Sequence, residues 1–476
     1  MELDVVSGVM RAIFFTFILI SVFLLIGAYL RAKVKIIQNL FLPASVVGGL
    51  LGLILGPIVL RDYAVLPIPD DWLMIASLLP GLLIVPVVAS VPLGLKMKQT
   101  KSSEEGGSGS NGSRAIVIMF LILGIIAYAQ TFYSLSVASV FKNVFSMEGI
   151  YPTFGTELSA GFTGGHGTAG VIGSLLQSMD QPYWNTAQGV TTTVATVGII
   201  SGILIGILFI NIAVRKGFTT FVQSGSDMQG GIRTGLNADE ASQESAGHET
   251  TNSSSIDSMG FHLALILMVS GLAFGIRYVF DVNNVLILNM IPEWAYAILL
   301  MYGVWGIMIK MKLDWIVDVK TKTKIASTFT EYAVVAAIIS LPIQAVFALI
   351  LPLSIILIGG LAITVLLAYF LSKRYFKEYW FEKSMAILGT NTGVFLTGLL
   401  LLKMVDPDLK SPVLRDYSIS YSLNSLIGFV LFPLAFGFLI AYGYTSAILL
   451  YGSLGMLFVI GLIIVGKKDK QEVQSI

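Results

Sequence analysis

Apolar runs of about 20 residues recur along this chain, and that length lets a helix cross a bilayer once. The pattern predicts spans near 10–30, 40–60, 72–95, 115–141 and 188–214, then near 260–280, 285–309, 328–350, 352–372, 417–440 and 443–466. Two stretches, 157–182 and 382–404, depart from it. The first reads Glu157-Leu-Ser-Ala-Gly-Phe-Thr-Gly-Gly-His-Gly-Thr-Ala-Gly170, and the second Glu382-Lys-Ser-Met-Ala-Ile-Leu-Gly-Thr-Asn-Thr-Gly393. Each glycine weakens a helix interior by about 1 kcal/mol. Broken backbone at membrane depth survives only where protein buries it or where it lines a wet cavity. Both stretches are therefore expected to be re-entrant hairpins.

Laid over each other, the two stretches match Glu157 with Glu382, Ser159 with Ser384 and Gly164 with Gly389. Each follows four spans and precedes a fifth. Lysine and arginine mark cytoplasmic loops. With the N-terminus outside, 25 of the 29 basic residues fall inside, leaving Arg11, Arg61, Lys142 and Arg277. The C-terminus is then cytoplasmic, and the two halves enter the membrane with opposite orientation. The predicted fold is an all-α polytopic membrane protein of two inverted-topology repeats of five spans. Each repeat carries a re-entrant hairpin, and one extra C-terminal span follows. Residues 1–214 form the first repeat, 215–258 a polar, flexible cytoplasmic linker, 259–440 the second repeat, and 441–476 the extra span and tail. Glycine-interrupted segments at matching places in two halves point to a secondary transporter with its site between them.

Composition narrows the class. Only 12% of residues are charged and 55% are hydrophobic, with a mean hydropathy of +0.84. A net charge of +1 gives no sign of a nucleic-acid partner. The absence of cysteine removes thiol catalysis and disulfides. No Gly-x-Ser-x-Gly elbow, His-Glu-x-x-His zinc motif or phosphate-binding Gly-x-x-x-x-Gly-Lys-Ser/Thr loop is present, so neither an enzyme nor an ATP-driven pump is expected. A channel stays open as an alternative, because re-entrant loops also build selectivity filters.

A helix broken in mid-membrane exposes N–H groups at one end, which suit a carboxylate, and C=O groups at the other, which suit sodium. The candidate substrate-binding residues are Gly164, Gly165, His166, Gly167 and Thr168 in the first hairpin, with Thr390, Asn391, Thr392 and Gly393 in the second. Ser159 and Thr163, with Ser384 and Gly389 opposite them, are the candidate sodium ligands. Against this stands the reading that glycines and hydroxyls only let helices pack closely. His166 either meets substrate, takes part in proton coupling, or packs as a neutral ring. Glu157 and Glu382 are expected at the water interface as caps. Thr191, Thr192 and Thr193, with Ser418, Ser420, Ser422, Asn424 and Ser425, either line the cavity or bond back to their own helices. Lys383 and Lys403 border the second hairpin, where cytoplasmic anchoring is expected of them.

The run Gly164-Gly165-His166-Gly167-Thr168-Ala169 resembles a signature of the bacterial sodium/glutamate symporter family. Leu42-Pro43-Ala44-Ser45-Val46-Val47-Gly48-Gly49-Leu50-Leu51 supports the same resemblance. It implies uptake of L-glutamate coupled to sodium across the cytoplasmic membrane by alternating access, with no other cofactor. It also implies a homodimer and a mobile domain bearing the hairpins. In the second hairpin the family tends to show Gly-Ala-Thr-Pro-Thr-Ala, where this chain has Gly389-Thr390-Asn391-Thr392-Gly393-Val394. The alternative substrate is another small carboxylate, such as citrate or malate.

Overall fold

A computed structural model describes residues 2–40, 42–94, 109–221, 234, 236, 243, 245–283, 285, 288, 292–406 and 410–474. Among the described residues there are fifteen α-helices, beginning with α1 (Glu2–Lys33), α2 (Lys35–Asn39), α3 (Ala44–Leu55), α4 (Pro57–Leu60), α5 (Asp70–Ser90), α6 (Gly109–Asn143), α7 (Glu157–Ser178) and α8 (Trp184–Lys216). After the linker come α9 (Ser258–Val282), α10 (Glu293–Lys310), α11 (Val319–Ile339), α12 (Ile343–Ala348), α13 (Ile350–Tyr375), α14 (Trp380–Val405) and α15 (Val413–Gln474). No strand occurs among the described residues. Eight of the described helices are long and apolar enough to span a membrane. Their outward faces stay apolar, with Phe14 and Leu25 on α1 and Ile358 and Phe370 on α13 exposed, as lipid as solvent requires.

Helix bounds refine the predicted spans. The span near 40–60 divides at Gly56 into α3 and α4, and the one near 328–350 starts earlier and ends at Ile339 before the short α12. The span near 285–309 begins later, at Glu293. The last two spans are a single element, α15, broken at Gly443, whose φ of 74° needs a glycine. Before the break, Ser420 and Asn424 donate to the carbonyls of Ile116 and Phe120, so both helices advance together. After it, Gly452, Gly455 and Gly461 lie against Phe132, Tyr128 and Leu121, and Arg114 donates to the Val465 carbonyl at 2.8 Å. The contact order has reversed. The helix therefore folds back at Gly443, and both arms flank α6.

The helices form two blocks. In one, α5 packs on α11, α1 on α3, α3 on α11, and α10 on both α5 and α9. In the other, α6, α8, α13 and α15 enclose α7 and α14. Two apolar clusters hold this second block together, one around Phe381, Met385 and Leu402 of α14, the other around Phe162, Ile172 and Leu175 of α7. The blocks meet chiefly where α7 lies on α5. There Gly170 lets the carbonyl of Pro80, an intrahelical proline, approach its backbone.

Lys96, Lys98, Lys101 and Arg233, and most of the polar stretches 102–113 and 222–244, lie outside the described residues. The end of the linker is anchored to the first block. Asp318 caps α11 by accepting from the Thr321 N–H at 2.8 Å and hydroxyl at 2.9 Å, and its other oxygen meets His248 Nδ1 at 3.1 Å. Burial alone would raise this carboxyl, but the hydrogen bonds from Thr321 and His248 outweigh it and hold the pKa at about 2. A depressed carboxyl contributes its stability at neutral pH and loses it as pH falls through about 4 towards 2. Asp318→Ala is expected to remove about 1 kcal/mol of capping and to free residues 245–257. Limited proteolysis checks this, with faster cleavage in that segment at neutral pH. The wild type should lose its protection only below about pH 4.

Candidate functional site

In the first hairpin, helical φ/ψ fails at Gly165 alone, at 63° and −154°, a combination open essentially to glycine. Gly161 lies on Val194, Phe162 on Gly198, His166 on Thr196 and Gly173 on Gln188. The facing position on α8 climbs and then descends, so the chain turns back at Gly165. In the second hairpin the break falls at Gly393 (φ −167°, ψ 39°) and Val394 (φ 69°, ψ 175°). A Cβ placed on Gly389 would stand 2.7 Å from the Cα of Gly398, nine residues on, which only a fold-back allows. The hairpins thus span Glu157–Ser178 and Trp380–Val405.

The two tips touch. A Cβ on Gly165 would lie 2.6 Å from Cγ1 of Val394. Both helix breaks, with their freed N–H and C=O ends, converge on one place. Around it the second hairpin is closed: Thr390, Asn391, Thr392 and Gly393 are all buried. The open side belongs to the first hairpin, where Ser159, Thr163, Gly164, Gly167 and Thr168 stay partly exposed while Gly165 and His166 are buried. Thr163 Oγ1 has no hydrogen-bond partner among the described residues.

The helix after each hairpin pins its tip. Thr196 Oγ1 on α8 lies 2.9 Å from His166 Nε2 and also donates to the Thr192 carbonyl at 2.9 Å. On α15, Tyr417 touches Thr390 Oγ1 at 2.5 Å, donates to the Phe395 carbonyl at 2.8 Å and stacks on the Phe395 ring at 4.5 Å. It joins the two arms of the second hairpin. Thr390, Asn391 and Thr392 also bond back to Ala386, Ile387 and Leu388, and Thr397 Oγ1 donates to the Gly393 carbonyl. Gly389 faces Gly398 between the arms, and Ser384 donates to the Ala368 carbonyl of α13 at 3.1 Å.

Gln130 on α6 adds a third element. Its Nε2 donates to Thr364 Oγ1 on α13 at 2.7 Å and to the Asn391 carbonyl at 2.9 Å. Sequence reading passed over Gln130, Thr364, Thr196 and Tyr417. A lone glutamine in the middle of an apolar span was the available signal, since intramembrane polar groups face the bundle interior.

Both entrance glutamates are buried, 1% exposed, so protein groups rather than water surround their carboxylates. Each holds a connecting loop. Glu157 accepts from Tyr151 OH at 2.8 Å and the Gly155 N–H at 2.7 Å, and Glu382 from the Thr220 N–H at 2.9 Å. Thr191, Thr192 and Thr193 bond back to the carbonyls of Ala187, Gln188 and Gly189, and Ser418 and Ser422 do likewise. Lys383 sits at the base of its hairpin, 3.9 Å from Asp416 and 4.7 Å from the Phe376 ring centre, away from the tips.

No curated protein matches the chain. The profile of the family described as sodium/glutamate symporter matches residues 10–380, more than three quarters of the length. The match takes in the first hairpin and stops as α14 begins. The chain belongs to the sodium/glutamate symporter family.

Proposed function

We propose that the protein, a membrane transporter by family, carries L-glutamate into the cell together with sodium by alternating access, and is not an enzyme. The observation that carries this reading is the meeting of two helix breaks at Gly165 and Val394. N–H groups opening each second arm (from His166 and Phe395) suit the substrate carboxylates, and the glycines admit the ligand to the backbone. Gly164, Gly165, His166, Gly167 and Thr168 line one side, and Thr390, Asn391, Thr392 and Gly393 the other. Sodium is the coupling ion, with Ser159, Thr163, Ser384 and Gly389 as its first candidates.

Helix pairing supports the inverted repeats, because contacts recur with the halves exchanged: α3 on α11 answers α10 on α5, and α1 on α3 answers α9 on α10. In this reading 1–214 and 259–440 are the repeats, 215–258 is a cytoplasmic linker, and 441–476 is an added span and tail. The protein lies in the cytoplasmic membrane with its N-terminus outside, as a homodimer. A second substrate reading, another small carboxylate such as citrate or malate, is favoured by one observation. The second hairpin lies outside the matched residues and reads Gly389-Thr390-Asn391-Thr392-Gly393-Val394.

Uptake of labelled L-glutamate into proteoliposomes, with and without an inward sodium gradient, tests this. Accumulation that needs the gradient is expected. Sodium-driven uptake of a dicarboxylate in place of glutamate would change the substrate only. Flux independent of sodium would overturn the coupling.

A further inference from the structure

Gln130 and Asn391 each keep one polar atom that their surroundings do not satisfy. Both residues are 0% exposed, and neither Gln130 Oε1 nor Asn391 Oδ1 has a hydrogen-bond partner among the described residues. Neither amide can be turned to repair this. Thr364 gives its own proton to the Gly360 carbonyl at 2.7 Å, so towards Gln130 it can only accept. The Asn391 carbonyl can also only accept. Both Nε2 protons of Gln130 are thereby committed, and its oxygen must be Oε1. Asn391 Nδ2 is fixed in the same way by the Ile387 carbonyl at 3.0 Å. Two acceptors are left beside the C-terminal end of the helix arm 380–392, where the freed carbonyls carry partial negative charge. Among the described residues no donor reaches either of them.

Building on the transport reading above, we propose that Gln130 Oε1 and Asn391 Oδ1 are ligands of a small cation held at the break of the second hairpin. Neutral amide oxygens at a helix C-terminus suit a hard monovalent ion, as in transporters whose broken helices coordinate sodium. They equally suit the ammonium group of an amino acid. The site joins α6 to the hairpin, because the amide that offers Oε1 also grips the Asn391 backbone through Nε2. Filling it would draw α6, α13 and the hairpin tip together.

The test uses the purified full chain without substrate. Thermal stabilisation is titrated with sodium chloride against choline chloride for the wild type, Gln130→Ala, Gln130→Glu and Asn391→Ala. Each variant is first checked for a single size-exclusion peak. If sodium is the ligand, Gln130→Ala and Asn391→Ala raise the half-maximal sodium concentration at least tenfold. Gln130→Glu, which keeps an oxygen there but loses the Nε2 donors, stays within about threefold of wild type. An amide acting only as a structural tie would fail as badly in Gln130→Glu as in Gln130→Ala, and that result overturns the proposal. If the ammonium is the ligand, sodium titrations are unchanged while the glutamate KM at saturating sodium rises at least tenfold in Gln130→Ala. Unchanged sodium response and unchanged KM in both alanine variants would sink the site and leave the symport reading standing. A wild type that sodium does not stabilise, yet whose glutamate KM is raised by Gln130→Ala, would instead count against sodium coupling.

Discussion

Replacing Gly389 by alanine is expected to lower uptake at least a hundredfold, about 2.7 kcal/mol of barrier. A methyl there would stand 2.7 Å from the Cα and N of Gly398 and from the carbonyl carbon of Thr397. All three atoms are backbone, so no side chain can swing aside, and overpacking of this kind costs roughly 1–3 kcal/mol even before function is considered. The arms would have to part. Tyr417, which grips one arm at Thr390 and the other at Phe395, would then lose one of its two holds. The tip at Val394 would move off Gly165. Gly271→Ala and Gly303→Ala serve as controls, because a Cβ at either position meets nothing within 4 Å. Both should stay within about twofold of wild type. Initial uptake rates, normalised to protein in the membrane, decide it. Wild-type transport by Gly389→Ala would mean that the arms do not rest on each other during the cycle.

Much of this arrangement was legible in the chain, for physical reasons that differ by residue. The first break was readable because Gly165 adopts a conformation that other residues avoid, and the sequence is dense in glycine there. The second falls inside the expected stretch 382–404 and takes in Gly393, the last of its candidate residues. Its turn includes Val394 at φ 69°, which a β-branched residue adopts only under constraint. The constraint is tertiary: the Gly165 backbone on one side and the Phe395 ring stacked on Tyr417 on the other. Aligning Gly164 with Gly389 does not superpose the breaks: Gly164 directly precedes the turn at Gly165, whereas Gly389 stands four residues before the turn at Gly393. Gly164 faces Thr168 within its own hairpin, whereas Gly389 carries the contact between two arms. Gln130 was invisible as a ligand because its meaning lies in α13 and α14, which reach it only after the helices pack. The entrance glutamates were sited by an interface rule, yet Tyr151, Gly155 and Thr220 supply the bonds that water would otherwise give.

The second large effect concerns motion between the two blocks. Helix α5 belongs to one and α7 to the other, and they touch where Gly81 faces Ser174. A Cβ on Gly81 would be 3.5 Å from the Ser174 Cβ, at the short edge of the range a disulfide spans. The chain has no cysteine of its own, so an introduced pair reports only on itself. Alternating access in this architecture requires the hairpin block to shift against α5. The most direct measurement is uptake by the double variant Gly81→Cys with Ser174→Cys, after oxidation and again after reduction, with cross-link yield read on gels. Uptake is expected to fall at least tenfold when the bond forms and to recover when it is reduced, while each single variant ignores the oxidant. Full uptake with the cross-link complete would contradict a moving hairpin block.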